Sequence, residues 1–195
     1  MAGWSCCYAE GMGAEPDDGF SLVELLVVVT VMLIVSAIAV PAFTSCYEGC
    51  CVKGAVAEIA GMIREAKQNA LATGNDHGVG FDPVSRKVSL ISGKGRDNKW
   101  NTDDDLVIRS FRLGEKGGGL VFGYGDYGPL PGLAAADDGI SFQSNNTLVC
   151  NPELTGNAGV VYLISRRGCA MAIKMNSTDY GYTLWRWAGK KWERV

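Results

Sequence analysis

Histidine is almost missing from this chain of 195 residues: His77 is the only one. The seven cysteines contain no Cys-x-x-Cys spacing, and one imidazole cannot complete a zinc site with thiols so scattered. No Ser/His/Asp or Cys/His signature and no phosphate loop occurs. Gly117-Gly118-Gly119 lacks the strand and helix that would flank a nucleotide site. His77, close to a predicted helix end, reads as structural, and no enzymatic activity is expected. Basic residues are missing from the first 52 positions; the first is Lys53. The segment before residue 20 instead holds Glu10, Glu15, Asp17 and Asp18. A secretory signal peptide with a basic front is therefore excluded, and the positive-inside rule alone does not place this end in a cytoplasm. The formal net charge is −3, and those four acids leave the remainder near +1, which excludes a globally basic nucleic-acid binder.

What the chain does have is one long apolar run. Leu25 to Val40 carries no charge, and Thr30 and Ser36 supply its only hydroxyls. Residues 20–43 would form ~36 Å of helix, enough to cross a bilayer core. Glu24 stands at the head of this run. A carboxylate costs ~2.5–3.5 kcal/mol at the centre of a membrane helix and less near an interface, so it calls for a functional reason. A plain membrane anchor accounts for neither Glu24 nor the Gly19-Phe20 pair before it.

The helix is predicted to continue past the bilayer. Ala55, Ile59, Met62, Ile63, Ala66 and Ala70 recur at three- and four-residue spacing, with Glu58, Arg64, Glu65, Lys67 and Gln68 mostly elsewhere around the wheel. Gly74-Asn75 is a stop signal. Gly49, Gly54 and Gly61 weaken the helix by up to ~1 kcal/mol each relative to Ala. Beyond residue 74 the pattern turns to short strands: 78–81 and 87–91 about a turn at Asp82–Arg86, then 106–113, 120–124 and 140–143. The clearest hairpin joins 160–164 to 170–175 through Ser165-Arg166-Arg167-Gly168, and 182–187 is joined to 191–193 through Ala188-Gly189-Lys190. Asp126 to Gly139, rich in Gly with Pro129 and Pro131, reads as a loop.

Gly19-Phe20, Glu24 and the apolar run together resemble the prepilin signal of the type IV pilin superfamily. That resemblance implies cleavage after Gly19, methylation of the new amino terminus on Phe20, and a role for Phe20 and Glu24 in filament assembly, with Pro41 as a helix-kinking proline. Met62 to Ala70, Gly159 to Leu163, Ala170 to Met175, and Thr183 to Trp187 with Gly189 and Trp192 look like the GspH/FimT family of minor pseudopilins and minor pilins. The implied fold is α+β, with a long amino-terminal helix packed on an antiparallel β head. The implied organisation is a leader at 1–19, a transmembrane and filament-core helix at 20–43, its amphipathic continuation at 44–74, and a β-rich periplasmic head at 75–195. The expected function is that of a type II secretion minor pseudopilin, single-pass in the inner membrane and then part of a periplasmic pseudopilus. Its partners would be other pseudopilins or pilins, the prepilin peptidase/methyltransferase, the inner-membrane assembly platform, and membrane lipid before assembly. The alternatives are a FimT-type minor pilin of a type IV pilus acting in assembly or DNA uptake, and a membrane-anchored extracytoplasmic binding module.

Three further groups of residues invite chemistry. Asp97, Asn101, Asp103 and Asp105 have the oxygen-rich spacing of a calcium loop, although they depart from the EF-hand pattern; the other reading is a solvated acidic turn. No other cofactor is expected. Arg186, Lys190, Lys191 and Arg194 interleave with Tyr180, Tyr182, Trp185, Trp187 and Trp192. That pattern fits either DNA phosphates or an amphipathic final strand with Trp185 and Trp187 on one face and Arg186 on the other. Cys150 and Cys169, both in the β region, would pair in an oxidising compartment or else remain buried free thiols. Cys46 and Cys50, four apart on a helix, make a strained bridge.

Overall fold

A computed structural model describes residues 21–153, 155–177 and 181–195. Helix α1 spans Leu22–Thr73, 52 residues with Pro41 inside it, and Gly74 ends it in the left-handed region at φ 69°. The chain divides into two compact units, Met1–Pro41 and Ala42–Val195.

In the first unit the described residues are helical from Leu22 onward, and every one of them is exposed. Leu22, Leu26, Leu33 and Ile38 are 80 %, 62 %, 66 % and 72 % exposed. A single helix leaves its apolar side chains no partner of its own, as a span in lipid requires none. Among the described residues, this is the one helix long and apolar enough to cross a membrane.

The second unit is the head. Among the described residues nine strands form two antiparallel sheets. The first has the order β3-β2-β1-β5, with β1 His77–Asp82, β2 Lys87–Ile91, β3 Val107–Arg112 and β5 Thr147–Cys150. The second has the order β4-β6-β7-β8-β9, with β4 Val121–Phe122, β6 Gly159–Ile164, β7 Ala170–Met175, β8 Tyr182–Trp187 and β9 Trp192–Arg194. The amphipathic part of α1 supplies the middle of the core. Ala55, Ile59, Met62, Ile63, Ala66 and Ala70 are all fully buried, as their spacing predicted. They meet Val79, Phe81, Val88, Leu90 and Leu148 from the first sheet and Val161, Leu163, Met171 and Ile173 from the second. The fold is therefore the expected α+β arrangement of a long helix and an antiparallel β head.

A second, smaller core lies on the other face of the second sheet. Val160, Tyr162, Ala170, Ala172 and Trp192 are buried there beneath Leu130, with Tyr124, Tyr127, Trp185 and Trp187 packed around them. The segment read as an open loop is thus a cover. Tyr127 stacks on Trp187 at 4.6 Å and donates its hydroxyl to the Gly168 carbonyl at 2.8 Å, and the Leu130 amide donates to Tyr162 Oη at 2.9 Å.

Two strand assignments change. Residues 140–143 are not a strand: Ile140 makes one isolated bridge to Val161, and Ser144, Asn145 and Asn146 then follow in the left-handed region. The strand comes next, at Thr147–Cys150, paired with His77–Gly80 of β1. Asparagine tolerates positive φ because its short polar side chain bonds locally. Asn145 Nδ2 donates to the Trp100 and Asn101 carbonyls at 3.0 and 3.2 Å, fastening the turn to the loop after β2. The outer edge of β5 is partly closed by a side chain: Asn157 accepts from the Val149 amide at 2.8 Å and donates to the Thr147 carbonyl at 2.7 Å.

Candidate functional site

The residues expected to serve processing and assembly lie in the first unit. Gly19 and Phe20 are outside the described residues. Glu24 is the acid in the first turn of α1, where the unpaired amides of a helix start favour a negative charge. It is exposed, among the exposed side chains of Leu22, Val23, Leu25 and Leu26. A carboxylate so placed has no partner cation on its own turn and is open to a cation from another molecule. Pro41 lies within α1 at the boundary of the two units.

The acidic loop after β2 is organised about Thr102. Its hydroxyl lies 2.9 Å from Asp104 Oδ1, 3.4 Å from Asp105 Oδ1 and 3.5 Å from Asp97 Oδ1. Asp104 Oδ2 also accepts the amides of Arg96 and Asp97 at 2.6 and 3.3 Å, and Asp105 accepts those of Gly95 and Thr102 at 3.2 and 3.1 Å. The Thr102 hydroxyl first, and the Arg96 and Asp97 amides next, hold the Asp104 carboxyl below its ordinary 3.8 against some desolvation. Of the four residues read as calcium ligands, Asp97 and Asp105 lie in this group. Asn101 turns away, its Nδ2 donating to the Phe81 carbonyl at 3.1 Å. Asp103 is exposed. Among the described residues no group of three or more His, Cys, Asp or Glu side chains is arranged to hold a metal ion. Asp104, omitted from the predicted ligands, accepts three of the loop's bonds, as many as Asp105. The loop itself lies over β1, where Gly78 and Gly80 leave the room: a Cβ there would come within 3.1 Å of Trp100 and 2.7 Å of Asn101.

The basic carboxy-terminal residues do not share one face. Tyr182 and Leu184 of β8 pack toward α1, so alternation puts Arg186 on that side and Trp185 and Trp187 on the other. Arg186 lies opposite Glu193 across the β8–β9 pair, while Arg194 lies opposite Trp185 on the outer face. Lys191 Nζ is 3.6 Å from Glu193 Oε1. Lys190 and Lys191 occupy the turn between the strands and are exposed.

The predicted disulfide is not present. Cys150 ends β5 in the first sheet, opposite His77, whereas Cys169 precedes β7 in the second, so the fold separates them by the core. Both are free thiols, as are Cys46, Cys50 and Cys51. Burial first, and Asp76 second, push the Cys150 thiol up against the pull of Lys67, to about 12. Gly117-Gly118-Gly119 also has a structural role. All three have positive φ, and Gly117 and Gly118 lie against Tyr47 and Cys51 of α1, where a Cβ would be 2.5 and 3.1 Å from side-chain atoms.

One feature of the head escaped the sequence reading. Glu48 of α1, only 8 % exposed, accepts the Arg167 backbone amide at 2.9 Å and lies 3.6 Å from Arg167 Nε. The Arg167 guanidinium also donates to Thr44 Oγ1. A glutamate five residues beyond the apolar run, inside an otherwise buried helix face, was the only available signal.

Comparison with known proteins bears on the amino terminus most directly. The family model described as the prokaryotic N-terminal methylation motif matches residues 17–40. No curated protein matches the chain in sequence. Among solved structures, the minor pseudopilin EpsH from the Type 2 Secretion System of Vibrio cholerae is similar at 14 % identity and a TM-score of 0.44, over 68 % of this chain and 94 % of that one. The methylation motif thus opens the long apolar helix of a chain that also carries an antiparallel β head.

Proposed function

We propose that the chain is a minor pseudopilin of a type II secretion system, held in the inner membrane by the first part of α1 until it is drawn into a periplasmic pseudopilus. The observation that carries this reading is the methylation motif at residues 17–40, with Glu24 in the first turn of a helix whose apolar stretch 22–41 is exposed throughout. Processing by a prepilin peptidase after Gly19 leaves a positive amino group on Phe20. Glu24 of one subunit then pairs with that group on a neighbour. Each charge alone in an apolar filament core would cost several kcal/mol, so the pair selects the axial register in which both are neutralised. The head projects into the periplasm and meets the other pilin-like subunits.

The arrangement of the carboxy-terminal cations favours secretion over the DNA-capturing minor pilin. A strip that tracks a phosphate backbone needs its cations on one surface. Here Arg186 and Arg194 lie on opposite faces of the sheet, and Arg186 and Lys191 both adjoin Glu193.

The test is made on the mature protein. Mass spectrometry is expected to find Phe20 at the amino terminus, N-methylated. Glu24→Ala is expected to leave membrane insertion intact, since it removes a charge from an apolar helix, while abolishing cross-linking into filaments and secretion by the host. A mature protein retaining residues before Phe20 would refute the reading, as would Glu24→Ala subunits entering filaments as well as wild type.

A further inference from the structure

Register brings two basic turns to the same end of the second sheet. Ile164 lies opposite Ala170 where the β6–β7 hairpin closes, and Trp187 lies opposite Trp192 where β8 and β9 close. Because Met171 pairs with Arg186, both turns leave from one end. The first carries Arg166 and Arg167, the second Lys190 and Lys191, and all four are exposed. Helix α1 gives this end a definite level. Lys67 sits 6.0 Å from the centre of the Tyr182 ring at the start of β8, whereas Arg186 and Trp187 share a cavity of about 190 Å³ with Gly49, Val52 and Lys53. Strand β8 therefore runs from the level of Lys67 to that of Gly49–Lys53 on α1. The Arg167 bonds to Glu48 and Thr44 complete the placement.

Thr44 directly follows Phe43, the last residue of the apolar run, which is 72 % exposed. Thr44 and Glu48, which hold Arg167, thus lie ~1.5 Å and ~7.5 Å along α1 from Phe43. The polar headgroup layer of a bilayer is roughly 5–7 Å deep on each side. The charges at this end are Lys53, Arg166, Arg167, Arg186, Lys190 and Lys191, against Glu48, Glu193 and Asp126, the last adjoining the Tyr127 that bonds Gly168. Cations exceed acids, in a chain whose other surfaces bring the total close to neutral.

We propose that this end of the head, with Arg166, Arg167, Lys190 and Lys191 at its tip, is a docking surface for anionic lipid headgroups that holds the head on the bilayer before assembly. The inference rests on the membrane-anchored reading above. Lipid is favoured over nucleic acid because the chain's own apolar run keeps the bilayer surface at a high effective concentration beside these turns. Each basic residue brought to an anionic surface contributes about a fivefold factor in binding, lost within a Debye length. Drawing the subunit into a filament would have to break these contacts, so the headgroup composition would set how readily the head is released.

The experiment uses the full chain in nanodiscs, with hydrogen exchange followed by mass spectrometry over residues 164–169 and 188–192. Discs of phosphatidylcholine alone are compared with discs containing phosphatidylglycerol, and with phosphatidylcholine discs plus duplex DNA. The expected result is exchange slowed at least about fivefold by phosphatidylglycerol, restored by ~1 M salt, and unaffected by DNA. The triple variant Arg166→Gln, Lys190→Gln, Lys191→Gln should lose that slowing while the core strands exchange as in wild type. Equal exchange in both lipids would overturn the proposal, as would protection by DNA alone, or protection that follows the number of copies per disc whatever the lipid. Incorporation into discs of either composition reports the membrane anchor separately. A chain that enters the discs but shows no lipid dependence refutes only the docking surface, whereas one that enters neither refutes the anchor and the docking surface with it.

Discussion

Removal of the Trp192 side chain should unfold the head from its outer face. Trp192 is 6 % exposed, and its ring contacts Trp187 at 5.6 Å and Tyr162 at 5.7 Å, both at steep interplanar angles. Its indole Nε1 donates to the Gly128 carbonyl at 3.1 Å, so one side chain ties the three-residue strand β9 to the covering segment. Large aromatic-to-alanine changes in a core cost about 3–5 kcal/mol. The steep aromatic pairs and the indole hydrogen bond place this site in the upper part of that range, near ~4 kcal/mol. Trp192→Phe keeps most of the apolar surface but strands the Gly128 carbonyl, a loss of about 1–2 kcal/mol. Urea unfolding of the full chain in detergent micelles, followed by circular dichroism, reads these values. At a slope of about 2 kcal/mol/M, Trp192→Ala should move the midpoint by roughly 2 M. The Leu130 amide, which donates to Tyr162, should lose exchange protection in the same variant. Trp187→Ala and Trp185→Ala should cost less, because both rings are only partly buried. A Trp192→Ala protein within ~1 kcal/mol of wild type would refute the idea that this outer cluster is a second core.

Native thiol labelling at pH 8 should modify exposed Cys46 and Cys50 rapidly and leave Cys150 unmodified until the protein is unfolded, since burial raises its pKa to about 12. A Cys150–Cys169 bridge in non-reducing peptide mapping would refute the separation of those residues by the core. For the acidic loop, Asp104 binds its proton more weakly folded than unfolded. Its stabilisation is therefore fully present above its ordinary 3.8 and is lost as pH falls through the lower folded value. The difference in melting temperature between wild type and Asp104→Asn should be constant above about pH 5 and shrink as the pH falls below 3.8. A difference that stays unchanged as the pH falls well below 3.8 would show that something other than the carboxylate charge holds the loop.

Local periodicity made much of this protein legible. A helix face is set by side chains three and four apart, and the six residues chosen on that ground line the core. The two carboxy-terminal hairpins were equally plain, because short turns join strands that are neighbours in sequence. The prepilin-type signal depends only on residue order along one segment, so no fold was needed to read it.

Tertiary structure decided what depends on partners far apart in the chain. Strand β5 is a strand because β1 offers an edge some seventy residues away, and a left-handed Ser-Asn-Asn turn delivers it there. The division into two sheets separated Cys150 from Cys169, although both lie in strand-rich sequence. Cross-strand register assigned Arg186 and Arg194 to opposite faces, which alternation within one strand could not do for a pair on two strands. The same register joined Arg166 and Arg167 to Lys190 and Lys191, and Glu48 and Thr44 of α1 fixed the level of that end. Spacing along the chain sets which way a side chain points on its own element; only the packing of elements, a sum of long-range contacts, sets which side chains meet.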